Sequence, residues 1–292
     1  MDLNILKQRA KAFDYLFDAV VVTDNQGIIS DWNKGSEALY GYSKDEAIGQ
    51  TVSMLHVPED IDHITAEVIA SVEKMGKWSG EIRMLHKDGH IGWIESMCVP
   101  ILDEANKMVG ALGINRDITE RKKELERLHN LAHYDQLTEI PNRYLLLDRL
   151  GHLIAQSERN KSEFTLLYMD LDKFKTINDT KGHAFGDQLL KATASRLTRL
   201  IRHSDTVARI GGDEFVFLLE NTSGKNDIAV VTEDILKELD SVFLIDDEEI
   251  KVSCSLGIAI YPEDGTTMDA LLAAGDAAMY KAKQEGRGTY QF

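Results

Sequence analysis

Asp170, Asp213 and Glu214 are the residues of this chain whose types and neighbours could do chemistry. Asp213 and Glu214 follow Gly211-Gly212, and that glycine pair separates two apolar runs, one carrying Val207 and Ile210, the other spanning 215–219. Glycines between such runs signal a β-hairpin, with the two acids just past its turn. Glycine lets a large anionic ligand approach the backbone closely, and paired carboxylates can hold the hard cations that neutralise such a ligand. Asp170 ends an uninterrupted apolar run, 164–169, of the kind that makes a buried central strand. If strand and hairpin are neighbours, Asp170 and Asp213 project to one edge as oxygen ligands suited to Mg²⁺. Two divalent ions there would stabilise the attacking and leaving oxygens of phosphoryl transfer. Taken alone, an Asp at a strand end reads as a turn or helix cap, and Asp172 is expected as the N-cap of the helix that follows.

The elements that must position these groups divide in two. A chain of 292 residues exceeds a typical single core, so two domains are expected. With 43% apolar and 28% charged residues it has the composition of a globular protein. A net charge of −16 argues against non-specific nucleic-acid binding. A nucleotide substrate would then need local cations, either bound metal or a few placed Lys and Arg. The two cysteines, Cys98 and Cys254, lie far apart in strand-like runs and make no zinc or redox motif. Buried thiols in a reducing compartment are expected. No run of ~18 apolar residues marks a membrane segment, and Met1-Asp2-Leu3-Asn4 opens no secretory pattern. The cytoplasm is the expected location.

In the first half, strands are expected at 19–23, 28–32, 80–85, 91–99 and 108–116, and helices at 33–40, 44–48 and 60–75. The strings Val22-Thr23-Asp24, Trp32-Asn33, Leu39-Tyr40-Gly41-Tyr42, Glu46-Ala47-Ile48-Gly49 and Lys87-Asp88-Gly89 resemble the PAS sensor fold, as does the exit string Gly113-Ile114-Asn115-Arg116-Asp117-Ile118-Thr119-Glu120-Arg121. The resemblance implies an N-terminal helix over 1–12 and a PAS domain over 13–118. Residues 119–134 are strong helix formers, with pairs Glu120–Lys123 and Glu124–Arg127. Ile118, Leu125 and Ala132 repeat every seven residues, with Leu128 at a second seam position. The segment reads either as a solvated linker helix or as a short parallel coiled coil; the resemblance favours a homodimer through the PAS domain and this helix. The PAS ligand is open. Cys98 in a strand does not suit a flavin-cysteine photosensor, and His63, with His56 just before its helix, is off the haem-ligand position, so haem is disfavoured. A non-covalent flavin is compatible with Trp32, Asn33 and Trp93, which are also ordinary PAS core residues.

In the second half, His-Tyr-Asp-Gln-Leu-Thr-Glu-Ile-Pro-Asn-Arg at 133–143 comes first, with Pro141 suited to the first turn of a helix through Leu145, Leu146 and Leu150. The strand ending at Asp170 follows, then helices at 188–201, 227–240 and 268–284 around the hairpin and a strand at 250–261. This strand–helix–strand–strand–helix–strand order is ferredoxin-like. The opening string, Asp170-Leu171-Asp172-Lys173-Phe174-Lys175, and Gly211-Gly212-Asp213-Glu214-Phe215 resemble the GGDEF family of diguanylate cyclases over 135–292. The fold class is therefore α+β: a PAS domain joined by a helical linker to a palm-like GGDEF domain.

The resemblance implies site roles. Asp170, the Leu171 carbonyl and Asp213 are expected as ligands of Mg²⁺ (or Mn²⁺). Glu214 is expected to help with the second ion or with deprotonating a 3′-hydroxyl. Asn178 and Asp187 are expected to read guanine: Asp187 can accept from N1–H and the exocyclic amine but would repel the N1 acceptor of adenine, which favours GTP. Lys283 and Arg287, four apart around Gly286, are expected on the triphosphate, with Gly211, Gly212 and the Phe174 and Lys175 amides close to the nucleotide. Arg202 and Asp205 resemble the family's inhibitory product site, which an arginine fork suits. Residue by residue, these also read as helix caps, a solvated helix end and a polar turn. Carried through, the resemblance implies condensation of two GTP into cyclic di-GMP and two pyrophosphates, under control of the PAS domain and of product. A catalytically silent nucleotide-binding effector, or a cofactor-bearing PAS sensor, is the alternative.

Overall fold

A computed structural model describes residues 3–220, 222 and 224–292; Met1 and Asp2 of the expected N-terminal helix lie outside them. The chain divides into two compact units, Met1–Arg127 and Leu128–Phe292.

The first unit begins with helix α1 (Leu3–Asp14). Its sheet holds β1 (Ala19–Asp24), β2 (Ile29–Trp32), β3 (Trp78–Leu85), β4 (Ile91–Leu102) and β5 (Met108–Asp117), antiparallel throughout in the order β2-β1-β5-β4-β3. Between β2 and β3 lie α2 (Lys34–Tyr40), α3 (Lys44–Ala47) and α4 (Ile61–Met75). Trp32, Tyr40, Leu55, Met84 and Ile94 fill the core between these helices and the sheet. Asn33 starts α2 from outside it, as the cap: its Oδ1 accepts from the Ser36 and Val20 N–H groups at 2.8 and 2.9 Å, and its amide donates to the Asp18 carbonyl. Trp93 is not core. It lies on the open face of β4, 36% exposed, with the Lys122 ammonium 5.0 Å from its ring centroid. In the period-2 alternation of β4 the buried positions are Gly92, Ile94 and Ser96, so Trp93 points the other way. His63 is a surface residue of α4.

Helix α5 (Thr119–His133) leaves β5 through the exit string. The Thr119 N–H donates to Asp117 Oδ1 (2.8 Å), Thr119 Oγ1 accepts from the Trp93 N–H (2.9 Å), and the Ile118 N–H donates to the Trp93 carbonyl (2.9 Å). Glu120 pairs with Lys123 and Glu124 with Arg127, as the spacing predicts.

The second unit contains α6 (Arg143–Asn160), β6 (Phe164–Leu171), α7 (Phe174–Lys181), α8 (His183–Leu200), β7 (Thr206–Gly211), β8 (Glu214–Glu220), α9 (Lys225–Asp240), β9 (Phe243–Ile245), β10 (Glu248–Ile250), β11 (Cys254–Tyr261), α10 (Met268–Gln284) and β12 (Tyr290–Gln291). The main sheet runs β12-β11-β6-β8-β7, and its four long strands are the ferredoxin-like set with β6 at the centre. Side chains alternate across β6. Leu167, Met169 and Leu171 join the core under α8 and α9, while Leu166 joins the core under α6 and α10.

Three local expectations change. Pro141 precedes the cap Asn142 rather than entering α6, because the Asn142 side chain already takes the Leu145 N–H and its Nδ2 ties back to the Ala132 carbonyl. The expected strand over 250–261 breaks between β10 and β11, where the Ser253 carbonyl accepts from the Asp172 N–H at 2.9 Å. Asp172 does not cap α7: Lys173 occupies that position in left-handed geometry (φ 60°), and no side chain caps the helix.

Candidate active site

The hairpin turn consists of Gly212 and Asp213, since Gly211 pairs with Glu214 across it. Asp213 is thus part of the turn and Glu214 opens β8, one position later than the glycine pair suggests. Gly212 has φ 51°, a conformation that suits glycine. A Cβ at Gly211 or Gly212 would meet nothing within 4 Å, so the space over the turn is open to a ligand. Asp170 stands opposite Glu214 in the β6–β8 register, and the Leu171 N–H donates to the Asp213 carbonyl at 3.3 Å. The strand end and the turn therefore meet at one edge of the sheet.

Arg209 holds that turn in place. Its Nε donates to the Gly212 carbonyl at 2.9 Å and its Nη1 to Asp135 Oδ1 at 2.7 Å. Asp135 Oδ1 also accepts from the Thr138 N–H (2.9 Å) and Oγ1 (2.7 Å). Burial pushes the Asp135 carboxyl up, but the Thr138 and Arg209 hydrogen bonds outweigh it and hold it below its usual range. The Asp-x-Leu-Thr string is thus the anchor of the turn 74 residues away. Nothing in the local letters around Arg209 announces this role.

Asp170 is nine-tenths buried, and its Oδ2 lies 2.8 Å from the Lys283 ammonium. Burial raises its pKa to about 6; the Lys283 hydrogen bond pulls it down, and the charges of Asp213 and Glu214 push it further up. Tyr168, two residues before Asp170 on the same face of β6, donates its hydroxyl to Glu214 Oε2 at 3.4 Å. Burial and the nearby Glu214 and Asp276 charges raise that phenol's pKa. Asp170, Asp213 and Glu214 do not close on one point: among the described residues, the one trio of potential ligand groups within 4.8 Å of each other lies in the first unit. The donor set fits a divalent cation nonetheless, because a buried carboxylate among two others demands positive charge, and here draws it from Lys283.

Asp172 is a hub that sequence reasoning missed. It is 6% exposed; Oδ2 accepts from Ser253 Oγ (2.6 Å) and the Gly288 N–H (3.1 Å), and Oδ1 from Ser255 Oγ (2.8 Å). The Arg287 Nε sits 3.9 Å from its Oδ1. The carboxylate thereby ties the ends of β6 and β11 to the loop that carries Arg287. The sequence signal was the second acid of Asp170-Leu171-Asp172, but its partners are 81 to 116 residues away.

Asn178 lies in α7 and Asp187 in the first turns of α8, so neither caps a helix. Asn178 Oδ1 is buried and accepts no hydrogen bond. It lies against Gly186, where a Cβ would approach it to 1.8 Å. Phe174 is core, and Lys175 is exposed in the uncapped first turn of α7. Arg202 and Asp205 precede β7, at the opposite end of that strand from the turn. Asp205 Oδ1 accepts from the Glu220 N–H (3.1 Å) and Oδ2 from the Arg202 N–H (3.2 Å), beside a small cavity lined by Leu200, Asp227 and Val231. The Arg202 guanidinium has no ion-pair partner among the described residues.

A ferredoxin-like sheet that carries a glycine-turned acidic hairpin beside its central strand defines a palm-like nucleotide domain. Residues 132–289 match the family described as diguanylate cyclase, GGDEF domain, and residues 29–115 match the PAS fold. The chain belongs to the GGDEF family, with a PAS domain N-terminal to the match. It is 46% identical over 165 residues to the bifunctional diguanylate cyclase/cyclic di-GMP phosphodiesterase MucR of Pseudomonas aeruginosa, matching 56% of this chain and 24% of that protein. It is 34% identical over 287 residues to the cyclic di-GMP phosphodiesterase PdeR of Escherichia coli, matching 93% of this chain and 41% of that protein. The chain thus spans well under half the length of these curated relatives. The solved GGDEF domain of TpbB (YfiN) from Pseudomonas aeruginosa is 38% identical with a TM-score of 0.53, covering 55% of this chain and 93% of that one. No helix among the described residues is long and apolar enough to cross a membrane.

Proposed function

We propose that the second unit is a diguanylate cyclase. The observation that carries this reading is the buried Asp170 carboxylate, drawn to the Lys283 ammonium beside the Gly212-Asp213 turn. Asp170, the Leu171 carbonyl, Asp213 and Glu214 would hold Mg²⁺ or Mn²⁺. The bound ion would neutralise charge that develops on the phosphates. Lys283, Arg287 and the open first-turn amides of Phe174 and Lys175 hold the triphosphate, and the bare surface of Gly211 and Gly212 lets it approach the turn. The unpaired Asn178 Oδ1 accepts from guanine, and Asp187 takes its N1–H and amine.

Each 3′-oxygen attacks the α-phosphorus of the other GTP, the bond from that phosphorus to the β-phosphate oxygen breaks, and pyrophosphate departs. Glu214, which accepts from the Tyr168 hydroxyl, takes up the 3′-hydroxyl proton. One unit binds one GTP, so two chains must face each other. Leu125 and Leu128, 54 and 51% exposed along α5, form with Ala132 the apolar seam for that homodimer, whereas Ile118 is buried and takes no part in it. The PAS domain acts on the rate through α5, whose first turn is bonded to β4 and β5. Product inhibits at the Arg202–Asp205 turn, where a guanidinium without an ion-pair partner among the described residues lies beside a cavity.

The test is conversion of purified GTP with Mg²⁺ to cyclic di-GMP, resolved by chromatography. Asp213→Ala is expected to abolish product while leaving the far-UV circular dichroism unchanged. Undiminished turnover in that variant refutes the site.

A further inference from the structure

We propose that His86, Asp88 and His90, on the turn between β3 and β4, form a binding site for a divalent transition metal, with Zn²⁺ as the best match. Each residue offers one ligand atom, and these lie within 4.8 Å of one another. Asp88 Oδ1 is at the centre, 2.9 Å from His86 Nδ1 and 2.6 Å from His90 Nδ1. The two imidazoles stack with centroids 4.3 Å apart, and the Nδ1 of each lies within hydrogen-bonding distance of that same oxygen. Around a four-coordinate Zn²⁺, with bonds of about 2.0–2.2 Å, neighbouring ligand atoms sit roughly 3.3 Å apart. The Nδ1–Oδ1 separations of 2.9 and 2.6 Å must open by roughly 0.4 and 0.7 Å to meet that spacing.

A second observation calls for a cation here. The Asp88 N–H donates to His86 Nδ1 at 3.2 Å, so that nitrogen holds a lone pair. The same nitrogen faces the Asp88 oxygen at 2.9 Å. Two acceptors at that distance repel unless a positive centre lies between them. A proton or a metal ion on Nδ1 would each take the place of the Asp88 N–H, and the titration below separates the two.

The platform is rigid. The His86 ring lies on Gly41, where a Cβ would come within 2.5 Å of its Nε2. The Lys87 N–H donates to the Tyr40 carbonyl (3.0 Å), Lys87 pairs with Glu46, and the His90 N–H donates to Asp88 Oδ1 (3.0 Å). Two imidazoles and one carboxylate select borderline ions such as Zn²⁺, Co²⁺ or Ni²⁺ over the Mg²⁺ suited to an all-oxygen site. The site belongs wholly to the first unit and does not rest on the reading of the second.

The full chain, stripped with chelator and kept in excess Mg²⁺ to fill the acidic edge, would be titrated with ZnCl₂ by calorimetry and followed by thermal melting. One Zn²⁺ per chain and a rise in melting temperature are expected, because the folded turn binds and the unfolded chain does not. His90→Ala and Asp88→Asn, both on exposed side chains, should each weaken binding on the order of tenfold or more. Absence of Zn²⁺ binding overturns the proposal, since the turn is then bridged by a proton. Binding that survives His90→Ala but vanishes in Asp213→Ala also overturns it, by locating the ion elsewhere.

Discussion

Single carboxylates decide what this molecule can do, and their environments set them apart. Asp170 is buried next to an ammonium; Asp172, two positions on, spends its oxygens on two serines and a backbone N–H. Replacing Asp172 with Asn turns donors toward donors. It should cost about 1–3 kcal/mol of stability, measured by urea unfolding, and raise the KM for GTP more than it lowers kcat. Combined with Arg287→Ala, the KM effects should be less than additive if Asp172 acts by orienting Arg287. The acid pair was plain in the letters of Asp170-Leu171-Asp172; the division of labour was not, because every Asp172 side-chain partner is more than 80 residues distant. His56 makes a pH prediction for the first unit. Its Nδ1 is enclosed without a partner, and burial lowers its pKa below 6.5 against a smaller upward pull from Asp60. The neutral ring is favoured on folding, so the unfolded chain binds more protons in that window. Stability should be intact above pH 6.5 and fall as pH drops through 6.5 toward the lowered value. Melting curves between pH 7.5 and 5.5 would check this, with His56→Gln flattening the dependence.

Turns and helix junctions place those residues. The hairpin tip depends on Arg209 bridging Gly212 and Asp135, both by short hydrogen bonds. Arg209→Ala should lower kcat on the order of tenfold or more with a smaller change in KM, since the turn carries Asp213 but not the base-reading groups. Equal effects on both would contradict that division. At the α7–α8 junction, Gly186→Ala would drive a methyl into Asn178 Oδ1. The expected outcome is a several-fold weaker affinity for GTP with the melting temperature shifted by only a few degrees, read by calorimetry. Strands and helices were legible because their apolar periods are strong: α10 begins and ends where its pattern does, and β6 is central as its unbroken run implies. Where expectation failed, a backbone group distant in sequence or a capping side chain had taken a backbone hydrogen bond. Ser253 broke the run before β11, and Asn142 capped α6 one residue after Pro141. Trp93 failed for another reason, since composition says nothing about which face of β4 a ring occupies.

For the whole chain, activity is expected to depend on self-association. Leu128→Glu sets a charge into the exposed apolar seam of α5. It should shift sedimentation toward the monomer and make specific activity rise steeply with protein concentration. A dimeric variant with normal activity would rule out that seam. Helix α5 has a further consequence. Its first residue is fixed by Asp117 and by the Trp93 N–H, so the screw of the helix starts from a set angle. Each residue added beyond Thr119 turns whatever follows by about 100°, and seven together return it to within roughly 20°. Insertions into this segment should therefore switch output on and off with a period near that of the helix, rather than weaken it in proportion to length.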